Sequence, residues 1–124
     1  MSHWHCYAWT GSGADWANDN QRREPSSSLP PTAVRAWLNK PRTMLRHIAY
    51  TPDEALTWLR EQFEPLAERT LYPELQTQRD IEFRYQLVLA DLMCGNDVMW
   101  GEWVKGPSIS TLAVVGTPEH CHVK

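Results

Sequence analysis

The stretch from Asp80 to Gly116 constrains this chain more than any other, because two different hydrophobic periods follow one another there. Ile81, Tyr85, Val88, Leu89 and Leu92 recur at the spacing that lines one face of a helix. Gly95-Asn96 then supplies residue types able to take the left-handed conformation that ends a helix. Two β-rich runs come next, Val98 to Val104 and Ile109 to Val115, separated by Lys105-Gly106-Pro107-Ser108 with its turn chemistry. The pattern predicts a helix feeding a β-hairpin. Leu112 to Val115 is continuously apolar, which suits a strand covered on at least one face.

A competing period runs through the same helix. Ile81, Phe83, Tyr85, Leu87 and Leu89 alternate with Glu82, Arg84 and Gln86, as a half-buried strand would. The helix is preferred because the apolar pattern continues to Leu92 and Met93, longer than a strand usually runs.

Upstream, His3 to Thr10 reads as a first strand with Trp4, Cys6 and Ala8 on one side and His3, His5, Tyr7 and Trp9 on the other. Large residues on both sides suggest an internal position. Gly11 to Pro30 shows no period and many breakers, so it reads as a long polar loop carrying Trp16. A Trp in such a loop either pins it to the core or touches a partner. Pro30-Pro31-Thr32 opens a short helix through Trp37 and Leu38, and Thr43 to Tyr50 reads as a strand. Thr51-Pro52-Asp53-Glu54 is the sharpest local signal, a capping box with proline at the first helical position. The helix it starts buries Ala55, Leu56, Leu59 and Phe63, and Pro65 is expected to kink it or begin a second one. The expected fold is α+β: a small, mainly antiparallel sheet of three to four strands, three or four helices packed on one face, and a C-terminal hairpin. It forms a single domain over residues 1–124, with the long polar loop at 11–30.

The 124 residues include seven Trp, so several of these must build the core or stand at an interface. A net charge of −3 and a pI near 5.9 disfavour binding to nucleic acid or an anionic membrane, which calls for a basic patch. No segment approaches the ~20 apolar residues of a membrane span. Met1 to Cys6 lacks the basic start and apolar run of a signal peptide, and Cys6, Cys94 and Cys121 cannot all pair within one chain. The expectation is a cytoplasmic protein with reduced thiols.

Soft metal ligands gather at the two ends of the chain. His3, His5 and Cys6 lie at one end and His120, Cys121 and His122 at the other. If the ends meet, these donors suit zinc or copper, although neither end has the spacing of a recognised zinc motif. Cys94, at the end of an apolar helix, reads as core. Gly11-Ser12-Gly13 lacks the lysine of a phosphate loop, and no complete nucleophile–base set is legible. Trp100 and Glu102 point to one side of their strand and Gly101 and Trp103 to the other, so one Trp is expected in the core and one exposed. The Gly95 to Trp103 run resembles small actinobacterial or phage proteins, a likeness that implies no activity. The pattern favours a non-enzymatic interaction module of inhibitor, immunity or regulatory type, with no assigned cofactor. It would bind a protein partner, or a second copy of itself, through Trp16, Arg22, Arg23, Trp100, Glu102 and Trp103. The alternatives are the terminal metal site and a ligand or substrate pocket between sheet and helices.

Overall fold

The structure, a computed structural model, describes residues 3–71, 73–75, 77–106 and 108–117. Its fold is α+β. Strand β1 (His3–Ser12) leads through two short helices, α1 (Gly13–Trp16) and α2 (Asp19–Arg23), and two 3-10 turns, Val34–Asn39 and Arg42–Met44, into β2 (Leu45–Ala49). The long helices α3 (Pro52–Ala67) and α4 (Gln78–Met93) follow, and β3 (Val98–Val104) and β4 (Ser108–Thr117) close the described chain as a hairpin. The four strands pair antiparallel in the order β2-β1-β4-β3, so the first and last strands lie side by side at the centre.

Local chemistry accounts for the long helices. Thr51 Oγ1 accepts the Glu54 N–H at 3.0 Å, and Glu54 reaches back to the Tyr50 N–H at 3.2 Å. Both ends of the capping motif are thus used, one residue further upstream than in the usual box. Thr77 caps α4 through the Asp80 N–H. Gly95 takes φ +83°, the Asn96 N–H donates to the Asp91 carbonyl at 2.8 Å, and the Gly95 N–H to Leu92 at 3.2 Å. This is the double bond of a Schellman ending. Pro65 does not stop α3, which runs to Ala67. It sits in the last turn on the exposed side, and Glu61, the residue whose carbonyl loses its helical donor, is exposed too.

Helices α3 and α4 cover one face of the sheet. Trp58, Leu59, Phe63 and Leu66 meet Tyr85, Val88 and Leu92 there, over Cys6, Val98, Leu112 and Val114. Trp58 and Leu66 extend the stripe expected for α3. The opposite face holds a second core, in which Trp37, fully buried, stacks on Tyr7 at 4.9 Å with Met44, Ala113 and Val115 around them. The short helices and 3-10 turns therefore form a third layer. This explains the uninterrupted apolar run of β4, whose successive residues face two cores. No helix among the described residues is long and apolar enough to cross a membrane.

Candidate functional site

The segment 11–30 is folded back on the sheet by a buried cation. Ser12 and Asn18 cap α1 and α2 by accepting the Asp15 and Gln21 N–H groups. Arg22 then turns inward. Its guanidinium donates to the carbonyls of Pro30 at 3.0 Å, Trp16 at 3.0 Å and Pro31 at 2.9 Å, and lies 3.8 Å from the centre of the Trp16 ring. Lys40 Nζ binds the Arg22 and Glu24 carbonyls and Ser27 Oγ. Such a segment carries many carbonyls that no ladder can satisfy, and two cations collect them. Burial lowers the pKa of both, with Asp19 opposing the shift at Arg22 and Glu24 at Lys40. Arg22 thus has an internal structural role, whereas Arg23 is exposed with Asp19 at 4.0 Å.

Trp16 serves mainly to pin this layer. It stacks on Trp9 and lies across Gly101. Gly11 and Gly13 have matching roles: Trp9 covers the first, and a Cβ on the second would stand 3.1 Å from the Trp103 ring. Three Trp rings therefore rest on three glycines, forming a shelf at the hairpin end of the loop-side face. Trp103 keeps 45% of its surface exposed on that shelf. Trp100 faces the helices, stacked on Tyr85 at 6.0 Å, edge-on to Phe63 at 5.1 Å, and covered by Arg84 at 4.1 Å. Glu102 holds that arginine at 2.8 Å. Trp100 and Glu102 join β3 to α4, on the opposite side from Trp16 and Trp103.

Three more exposed apolar side chains lie on one helix, away from this shelf, and Tyr50 and Leu71 are exposed outside it. On α4, Phe83 is 60% exposed, Leu87 50% and Met93 71%. Phe83 and Leu87 are one turn apart on the face opposite Tyr85, Val88 and Leu92, and exposed Ala90 continues the ridge. Beside Phe83 lies an open hollow lined by Arg79, Asp80, Glu82 and Gln86. These residues were not among those expected from the sequence to bind a partner. Their signal was present as the alternation that competed with the helix, since a helix apolar on two opposite faces also scores as a strand.

The first and last described residues, His3 and Thr117, come together. His3 is paired with Thr117 across β1 and β4, and Thr117 Oγ1 donates to the His3 carbonyl at 3.0 Å. His3 and His5 share the loop-side face, whereas Cys6 points into the helix-side core, where burial foremost, then Glu54, pushes its thiol up to about 12. His120, Cys121 and His122 lie outside the described residues. Among the described residues no group of three or more His, Cys, Asp or Glu side chains converges as a metal site. Cys94, expected in the core, is exposed at the end of α4, because the helical period sets it in line with exposed Phe83, Leu87 and Ala90. No family model matches the chain, and neither a curated protein nor a solved structure shows significant similarity to it.

Proposed function

We propose that this protein is a non-enzymatic interaction module that docks a protein partner, or a second copy of itself, on the outward face of α4. The observation that supports this reading is the second apolar ridge, Phe83 and Leu87 with Ala90 beyond, on a helix whose other side is already core. Phe83 and Leu87 stay half or more in water, so a partner that buried them would gain about half of the ~1.5–3 kcal/mol that full burial of each is worth. Exposed apolar ridges bordered by charged residues are features of protein contact surfaces. Asp80, Glu82 and Asp91 border this one, and Arg79 stands at its N-terminal end. Trp103 offers a separate aromatic anchor on the other side of the sheet. The hollow beside Phe83 is open, which suits a side chain of a docked protein better than an enclosed small ligand.

The test is the solution mass of the purified protein together with co-purification from the cells that produce it, comparing the native chain with a Phe83→Ser/Leu87→Ser variant. Both positions are exposed, so the variant is expected to fold. A partner or second copy held by the native chain and lost by the variant would support the reading. Monomeric mass for both, with identical co-purifying proteins, would refute it.

A further inference from the structure

Four exposed residues form one outward line along α4 and its C-cap: Phe83, Leu87, Ala90 and Cys94. They recur at intervals of four, three and four residues, the spacing with which one helix sets knobs into the holes of another. Cys94 keeps its place on this line, because its N–H still donates to the Ala90 carbonyl at 3.0 Å. The side chains shrink along the line, from a phenyl ring and an isobutyl group to a methyl and a thiol. Arg79, Gln86 and Met93 flank it on one side, Arg84 and Asp91 on the other.

A ridge graded in this way complements itself when turned end for end. In an antiparallel pair, with a two-fold axis between Leu87 and Ala90, each Phe83 meets Cys94 of the second copy and each Leu87 meets its Ala90. Every large side chain then fills the space above a small one. A register shifted seven residues towards the helix start sets Ala90 against Asp80 instead. A parallel pair would stack Phe83 on Phe83 and Cys94 on Cys94, splaying the helices at one end. Charge agrees with the antiparallel sense. Exposed Asp91 comes beside Arg84 of the second copy, whose side chain is 31% exposed while it holds Glu102 at 2.8 Å. In a parallel pair Arg79 would instead face Arg84, like charge on like. The opposed helix dipoles also attract. About three helical turns bury less than the ~1,200 Å² of a standard interface, so association in the micromolar range is expected.

Resting on the interaction face proposed above, we infer that its occupant is α4 of a second copy, packed antiparallel with Phe83 against Cys94 and Leu87 against Ala90. Such a contact uses the same patch on both copies and closes at two, so a dimer and no larger assembly is expected.

The experiment is oxidative cross-linking of the full-length protein in a Cys121→Ser background, with and without Phe83→Cys, beside sedimentation equilibrium over a range of micromolar concentrations. Positions 83 and 94 lie about 16 Å apart along one helix, and a disulfide needs Cα atoms within ~7 Å, so a bond between the introduced thiol and Cys94 must join two copies. Phe83→Cys should be trapped as a disulfide dimer through Cys94, identified by peptide mass spectrometry. Cys94 alone should not be trapped, since the antiparallel pair sets the two Cys94 residues equally far apart. Ala90→Leu overfills the small half of the ridge and should weaken self-association by at least ~10-fold, although it adds apolar surface. These positions are exposed, and the melting temperature of each variant checks that it is folded. A bond between two Cys94 residues formed as readily, or tighter association with Ala90→Leu, would overturn the antiparallel seam. A monomeric protein without cross-links would overturn the second copy as occupant. Loss of a different co-purifying protein in Phe83→Ser/Leu87→Ser would then leave the interaction face standing, and no such loss would remove both.

Discussion

Replacing Arg22 with Ala tests how the loop-side layer is held. Two of its acceptors, the Pro30 and Pro31 carbonyls, belong to buried residues, and the Trp16 carbonyl is partly reached by water. A buried acceptor deprived of its donor costs ~1–3 kcal/mol. Losing the guanidinium from the Trp16 face removes a further ~0.5–1 kcal/mol. The Asp19 contact, at 3.9 Å with an exposed carboxylate, adds little by comparison. The total need not appear in global unfolding, because a layer with few core contacts can detach while the sheet and long helices persist. We therefore expect urea denaturation to show a loss of about 2–4 kcal/mol. Amide exchange over residues 13–31 should accelerate by more than ~10-fold while β1 and β4 keep their protection. Arg22→Lys should restore less than half of the loss, since one ammonium cannot reproduce a planar fork reaching three carbonyls. A loss below ~1 kcal/mol with unchanged exchange over 13–31 would show that the buried cation does not hold this layer.

Other expectations follow from single side chains. The Tyr85 hydroxyl is buried without a hydrogen-bond partner among the described residues, so Tyr85→Phe should be neutral or stabilising by up to ~1 kcal/mol at pH 7. Burial, then Glu64, raises the Tyr85 pKa, so the native state resists an ionisation that the unfolded chain undergoes near pH 10. Stability should therefore fall as pH rises from about 10 towards the raised native value, and comparing native and Tyr85→Phe melts between pH 8 and 11 should show a shallower decline in the variant. A Cβ at Gly11 would overlap the Trp9 ring, so Gly11→Ala should cost ~1–3 kcal/mol and red-shift Trp emission as the ring is displaced. An unchanged spectrum and melt would contradict the shelf. Because Cys6 is buried with its pKa pushed up to about 12, while Cys94 is exposed, iodoacetamide at pH 8 should label Cys94 and spare Cys6, as read by peptide mass spectrometry. Labelling of Cys6 in the folded protein would refute its placement.

What the sequence determined by itself were features carried by residue types close together in the chain, although the equally local caps at Ser12, Asn18 and Thr77 were not among them. The Thr51 cap and the Gly95 helix ending depend on neighbours up to about five positions away, and the hairpin after α4 on pairs no more than sixteen apart, and their residue types announce them. The opposed orientations of Trp100 and Trp103 follow equally from strand alternation. What only the tertiary structure decided depends on contacts between distant segments. Residues 11–30 lack a period because their order comes from Arg22, Lys40 and the Trp–glycine contacts, none of which leaves a periodic trace. Short helices on the second face follow from that same closure. Sequence also offered two apolar periods over residues 81–89, and packing against α3 selected Tyr85, Val88 and Leu92 for the core while leaving Phe83 and Leu87 outside. The pairing of β1 with β4, which sets His3 beside Thr117, is a matter of strand order, and strand order is fixed by the whole sheet rather than by any segment of it.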